Sequence, residues 1–342
     1  MNKPTLSVLM PNYNHGHYLR ESIPAILNQS YQPLEFIIVD DGSTDDSVEF
    51  IESLSKKNDV IHLVKHKTNK GNYAAFARAL SLCKGDFFIA TAADDMVLPG
   101  LFEKTMNMLS KYPDSGLCSS ISRRIDENGN ELATAPEPPY ISKVPCYLPP
   151  EKVLQLYIET GGDWCMPSTV IWNTKAVKES KAFDIKMGNF ADILSLQMIT
   201  LNYGACFIPE PLGLYRVVEN SFSKEYRSNP KAYMDLMESS EKVLQSDDYR
   251  DKFPSVFLGI FHSRALYQRG AISLQNWQSS TDECYEHLEK SLPVSSMLNR
   301  VVFAMTRVLG KAQIILLKLF LFLRTRRISW YMIRRVLGRF NF

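Results

Sequence analysis

The sequence predicts an α/β protein built on a parallel sheet with helices on both faces, and three observations carry that expectation. Apolar runs of strand length alternate strictly with helix-like stretches as far as Thr91. Each strand-length run passes into a polar loop at its carboxyl end. Beyond Pro99-Gly100 the rhythm weakens, so the regular part of the pattern belongs to the N-terminal region.

In chain order, Leu6 to Met10 reads as the first strand and Tyr18 to Asn28 as the first helix. Leu34 to Val39, Val60 to Val64 and Phe87 to Thr91 are further strands, separated by helices over Ser47 to Leu54 and Tyr73 to Leu82. The strands are nearly continuous in apolar residues, as strands covered on both faces are. Ligands of such sheets gather outside the carboxyl ends of the strands. At those ends stand Pro11-Asn12-Tyr13-Asn14, Asp40-Asp41-Gly42-Ser43, Asn69-Lys70-Gly71-Asn72 and Asp94-Asp95. Turn chemistry accounts for any one of these loops. Four of them on one edge point to a ligand site.

Further along, Thr134 to Pro150 holds six prolines and is expected to be loop. A mixed region follows from Glu151 to about Arg227, with Gly161-Gly162-Asp163 in its middle. From about Asn229 to Leu292 the apolar spacing is helical, as at Tyr233, Leu236 and Met237 and again at Val256, Phe257, Ile260 and Phe261.

With 342 residues and 45% hydrophobic side chains the chain can bury a sizeable core. Its six cysteines are scattered without metal-ligand spacing, and Met1-Asn2-Lys3-Pro4 lacks the zones of a secretory signal. The expected location is therefore the cytoplasm. Charge is uneven: residues 291–342 carry ten Lys and Arg and no acid, leaving 29 basic against 37 acidic side chains in residues 1–290.

The run Ser7-Val8-Leu9-Met10-Pro11-Asn12-Tyr13-Asn14, followed by Ile37-Ile38-Val39-Asp40-Asp41-Gly42-Ser43-Thr44-Asp45, closely resembles the opening of glycosyltransferase family 2. The likeness extends over roughly residues 5 to 220. It implies a GT-A fold, inversion at the anomeric carbon and a divalent metal on the donor diphosphate. Residues 1–100 would then be the nucleotide-sugar-binding half and 101–228 the acceptor-binding half, with a helical region over 229–295 and basic amphipathic helices over 296–342. By the same resemblance Tyr13 lies against a pyrimidine ring and Asp41 accepts a hydrogen bond from it, while Asp40 supports the loop. Pro11, Asn12, Asn14, Asn69, Asn72 and Asp94 complete the nucleotide-side set.

The diphosphate of a sugar nucleotide must be neutralised before it can leave, and Mn²⁺ or Mg²⁺ held by carboxylates does this. Asp94 and Asp95 form a suitable half-shell; the plainer reading of such a pair is a helix N-cap before Leu98-Pro99-Gly100. Many family members have Asp-x-Asp-Asp here, whereas Ala92 occupies the first position in this chain, so more of the coordination falls to the phosphates.

Inversion needs a base for the acceptor hydroxyl. The resemblance points to Asp192, upstream of the family-like segment Phe207-Ile208-Pro209-Glu210-Pro211-Leu212-Gly213-Leu214-Tyr215-Arg216; the common Glu-Asp pair is absent because residue 191 is Ala. Asp192 also reads as a carboxylate favoured by a helix dipole. Gly161, Gly162, Asp163 and Trp164 look like the family's sugar-binding loop, where glycines permit close backbone approach. Trp164 has two readings, a stacking platform for a pyranose or a core side chain, and Asp163 is the reserve candidate for sugar hydroxyls. Lys70 and Arg78 suit either a phosphate contact or a solvated helix face, and His15 and His17 read as polar loop residues.

In residues 298–323 a helical projection brings Arg300, Arg307, Lys311 and Lys318 within about 40° of one another on an apolar rod. Its uninterrupted apolar stretches fall short of the roughly 20 residues that span a bilayer. Trp330, Ile333, Leu337 and Phe340 make a second apolar face opposite Arg335 and Arg339. Residues 298–342 are thus expected to lie on an anionic membrane surface, on the inner face of the cell membrane; packing on the body or on another copy is the alternative. Nucleic acid is not expected as a partner. The functional expectation is an inverting, metal-dependent transferase that moves a sugar from a UDP-, GDP- or dTDP-sugar to a growing surface glycan, possibly lipid-linked. A non-catalytic sugar-nucleotide or glycan-binding module on the same fold is the alternative.

Overall fold

A computed structural model describes residues 3–132, 141–160, 167–184, 186–187, 191–218, 230–259 and 261–262. The chain divides into two compact units, one formed by Met1–Tyr157 and Gly162–Ser221 and the other by Ile158–Gly161 and Phe222–Phe342.

The first unit opens with the expected alternation: β1 (Leu6–Asn12), α1 (Gly16–Leu27), β2 (Glu35–Asp40), α2 (Ser47–Ser55), β3 (Ile61–Lys65), α3 (Asn72–Leu82) and β4 (Phe87–Ala90). The four strands are parallel in the spatial order β3-β2-β1-β4. β1 and β2 are buried almost throughout, which explains their nearly continuous apolar runs. Leu6, Val8, Met10, Phe36, Ile38 and Ile89 meet Leu19, Ile23 and Ile26 of α1 in one core, each buried aliphatic side chain contributing roughly 1.5–3 kcal/mol.

The second half is not parallel throughout, in keeping with the weakened rhythm beyond Pro99-Gly100. β5 (Met96–Val97), α4 (Leu101–Lys111), β6 (Leu117–Ile125), β7 (Cys146–Leu148), α5 (Pro150–Thr160), β8 (Ile171–Asn173), α6 (Thr174–Ser180), α7 (Ala191–Tyr203) and β9 (Ala205–Arg216) follow. β8 runs antiparallel to β4 and β6, β9 runs parallel to β6, and β5 and β7 flank β9 antiparallel. The proline-rich stretch is also not loop to its end: Cys146–Leu148 pairs with β9 because no proline occupies those three positions.

In the second unit, α8 (Pro230–Gln245) confirms the helical spacing around Leu236 and Met237, and Met237 and Leu244 are buried. Phe257 stacks on Phe253 at 5.2 Å between ring centroids and lies beside Phe261 at 6.0 Å. The expected helices of residues 296–342 lie outside the described residues.

Candidate active site

The parallel register fixes where the site edge begins. Asn12 of β1 stands beside Asp40 of β2, and Asp40 stands beside Lys65 of β3, so the three strands end level with one another. The amide of Asp41 donates to the Asn12 carbonyl (2.8 Å) and that of His66 to the Asp40 carbonyl (2.9 Å), which carries the pairing into the loops. Their loops therefore emerge together.

Asp40 and Asp41 serve opposite neighbours, as successive side chains leaving a strand must. Asp40 Oδ1 accepts from Asn12 Nδ2 (2.8 Å) and Ser43 Oγ (2.6 Å), and its Oδ2 accepts the Ser43 amide (3.0 Å). Asn14, in the left-handed region at φ 54°, accepts the Thr44 amide at 2.8 Å and donates its own amide to Ser43 Oγ at 2.9 Å. The first and second loops are thereby one unit, and Asp40 has the loop-supporting position.

Asp41 turns to the third loop. Its Oδ2 accepts the amides of Lys70 (3.0 Å) and Gly71 (2.7 Å), while Oδ1 shares the Lys70 amide (3.0 Å) and meets His66 Nδ1 at 2.6 Å. Burial alone would raise this carboxyl's pKa, but the donors from His66, Lys70 and Gly71 outweigh it and hold the pKa below the usual range. A pyrimidine donor reaching Asp41 would compete with those bonds. Gly42 makes the approach of the loops possible: at φ +79° a Cβ would come within 2.9 Å of the Thr68 backbone.

Tyr13 is among the exposed large side chains, with 41% of its surface free, at the mouth of the first loop. Pro11 is half-buried in β1, and Asn69, Lys70, Asn72 and Arg78 are exposed. His15 and His17 both pack on the Tyr18 ring, at 5.7 and 3.7 Å between centroids.

The fourth loop carries the acid pair. The N-cap reading of that pair does not hold, because α4 begins at Leu101 with Gly100 as its cap. Asp94 and Asp95 instead sit in the turn that leads into β5. Asp95 is buried and its Oδ1 accepts the Arg216 amide at 2.9 Å. Burial and the neighbouring charge of Asp94 push its pKa up to about 8, against the lowering influence of Arg216. Two hard carboxylates on one turn, one of them short of compensating positive charge, fit a divalent cation. Among the described residues no cluster of three or more His, Cys, Asp or Glu forms a closed metal site.

Arg216, at the end of β9, ties this turn down. Its guanidinium donates to the carbonyls of Asp94 (2.9 Å), Asp126 (3.3 Å) and Glu127 (3.0 Å) and to the Glu21 carboxylate (2.8 Å), and it lies 4.6 Å from the centre of the Tyr18 ring. Sequence reasoning included Arg216 in a family-like segment without giving it a role. A basic residue closing a long apolar strand was the available signal. His66 was missed although it directly follows β3, on the edge already singled out.

Asp192 lies in the first turn of α7, and its carboxylate accepts the Ile193 amide at 2.8 Å. This is the helix-terminal geometry, and it leaves the residue exposed to solvent. Protein atoms still crowd the carboxyl, and desolvation raises its pKa despite two backbone hydrogen bonds. Gly161, Gly162, Asp163 and Trp164 lie outside the described residues, so both readings of Trp164 stand as they were.

Residues 7–153 match the family model described as Glycosyl transferase family 2. An uncharacterized glycosyltransferase of Haemophilus influenzae is 39% identical over 109 residues, covering 32% of this chain and 44% of that protein. The glycosyltransferase GlyG of Streptococcus pneumoniae is 26% identical over 218 residues, covering 62% of this chain and 70% of GlyG. The chain spans less than half the length of the first curated relatives it matches. Among solved structures, S. aureus TarS 1–349 with UDP-GlcNAc superposes with a TM-score of 0.63 at 15% identity, covering 96% of this chain and 93% of TarS 1–349. The mannosyltransferase PcManGT of Pyrobaculum calidifontis, in complex with GDP-Man and Mn²⁺, gives a TM-score of 0.53 at 15% identity, with coverages of 93% and 87%. At such identities the likeness speaks to the fold, which is GT-A.

Proposed function

We propose that this chain, residues 7–153 of which match the glycosyl transferase family 2 model, transfers a sugar from a nucleoside-diphosphate sugar to an acceptor hydroxyl with inversion. The observation that carries this reading is the convergence of four strand-end loops, the first three clamped together by Asp40 and Asp41 and the fourth presenting Asp94 and Asp95. Tyr13 offers an exposed ring to a base beside a loop that Asn14 and Ser43 hold in place. Asn69 and Asn72 offer exposed polar groups to the rest of the nucleotide, whereas Asn12, buried with its amide on Asp40 and Ser43, supports the loop from beneath rather than facing the nucleotide.

Asp94 and Asp95 are the residues to hold Mn²⁺ or Mg²⁺, which when bound neutralises the departing diphosphate. PcManGT with GDP-Man and Mn²⁺ supports such a site by analogy of fold. Asp192 acts as base, taking the acceptor proton as the hydroxyl oxygen attacks. Its crowded, reachable carboxyl suits that task, since a raised pKa makes a better proton acceptor. Gly161, Gly162, Asp163 and Trp164 are proposed to hold the sugars.

A screen of UDP-, GDP- and dTDP-sugars with Mn²⁺, read by nucleoside diphosphate release, tests the reading. Turnover with one donor is expected. Tight donor binding without any release, even with glycan acceptors present, would favour the non-catalytic binding module instead.

The acceptor is proposed to be a growing surface glycan, lipid-linked and met at the membrane through residues 298–342, whose ten basic and no acidic residues drive the contact. No helix among the described residues is long and apolar enough to cross a membrane. Binding to anionic liposomes should weaken between 0.05 and 0.5 M salt, as the Debye length falls from roughly 14 to 4 Å. An apolar remainder should survive the salt. Indifference to such liposomes at low salt, together with loss of folding or dimerisation on truncation near Ser295, would make the tail a packing element.

A further inference from the structure

Among the described residues His66 is the one side chain bonded to the Asp41 carboxylate, whose other partners are backbone amides of the turn it holds. Asp41 exposes only 2% and His66 only 11% of its side-chain surface, and their 2.6 Å contact is shielded from bulk water. An ionised carboxylate only accepts hydrogen bonds, so Nδ1 of His66 carries the hydrogen in this pair. The ring is delivered to that place by its backbone, because the His66 amide is fixed on the Asp40 carbonyl at 2.9 Å.

The consequence reaches the third loop. Asp41 has about four acceptor directions, and the contacts with His66, the divided Lys70 amide and the Gly71 amide use all of them. Gly71, at φ 93°, is the cap of α3, and its amide, shared between Asp41 Oδ2 (2.7 Å) and Asn69 Oδ1 (2.9 Å), fixes where that helix starts. Removing the imidazole donor would leave a buried carboxylate short of one strong partner, which raises its energy and loosens its hold on the two amides.

We infer that His66 is a positioning residue for the nucleotide-binding edge: by donating Nδ1–H to Asp41 it sets that carboxylate as the latch of the Lys70–Gly71 turn, and through the turn it governs affinity for a nucleoside diphosphate. The affinity half of this inference rests on the donor site proposed above; the latch half does not. His66 touches no reacting atom in this scheme, so its loss should act on donor KM more than on kcat.

Two substitutions separate the donor from the ring. His66→Phe keeps a ring and removes the donor, whereas His66→Asn removes the ring and keeps an N–H close to the Nδ1 position. Calorimetry with UDP, GDP and dTDP, donor kinetics, and amide hydrogen exchange at Lys70 and Gly71 are to be read on the full chain. His66→Phe should weaken nucleotide binding and raise donor KM about tenfold or more, with kcat falling less than about threefold, and should speed exchange at both amides about tenfold. His66→Asn should stay within about threefold of wild type in affinity and exchange. Wild-type exchange and affinity in His66→Phe, or greater damage in His66→Asn than in His66→Phe, would overturn the inference. If the wild-type chain binds none of the three nucleotides, the donor site and the affinity claim both fall, while exchange alone still decides the latch.

Discussion

Asp95→Asn is expected to remove most turnover, on the order of 10²-fold or more, and to change how stability depends on pH. The second effect follows from burial. Because Asp95 is pushed up to about 8 from an ordinary value of 3.8, the folded chain keeps this proton over a range in which the unfolded chain has released it. The folded state then binds more protons than the unfolded one, so this residue makes stability fall as pH rises from about 4 to about 8. The full loss is on the order of 5 kcal/mol by pH 8, and an asparagine, which cannot ionise, should abolish that slope. Denaturant midpoints at pH 5 and pH 8 check it. Equal losses in both proteins would place the pH dependence elsewhere, and normal turnover by Asp95→Asn, with donor affinity unchanged by EDTA, would remove Asp95 from the metal site. Asp41 works in the opposite sense: its lowered pKa stabilises the fold above the ordinary carboxylate range and is lost as acid protonates it.

Asp192→Asn is expected to lower kcat about 10²-fold or more while donor affinity stays within about twofold of wild type. An asparagine keeps the size of the side chain at the start of α7 and cannot take a proton. In the wild type, activity should rise with pH through a value above the usual carboxylate range, because the base works only when ionised and desolvation raises its pKa. That limb should vanish from the residual activity of the variant. Should Asp192→Asn keep its kcat while Asp163→Asn loses it, the base is Asp163 and Asp192 is a helix-terminal carboxylate.

Much of this site was legible because the N-terminal half is built from local rules. Each strand there carries its own nearly continuous apolar run, so its end, and hence the loop that reaches the edge, can be read from a few consecutive residues. Asp40, Asp41, Asn69 and Asn72 were placed in strand-end loops that way. β6 escaped the same reading because Leu117–Ile125 buries three serines, at 119, 120 and 122, where an apolar pattern was sought. Those serines lie among internal partners: the Ser120 amide and carbonyl both bond to Thr169 Oγ1, and Ser122 Oγ accepts from Ser168 Oγ.

The sequence by itself determined the four parallel strands, their order of loops, the family resemblance and the acidic positions. Only the tertiary structure decided that β9 enters the sheet between β6 and β5, that the Arg216 amide reaches across 121 residues to the Asp95 carboxylate, and that His66 completes the bonds of Asp41. The physical reason is range: strand ends and turns follow from neighbouring side chains, whereas a buried carboxylate's partners depend on which distant backbone edge needs a hydrogen bond, and no periodicity records that.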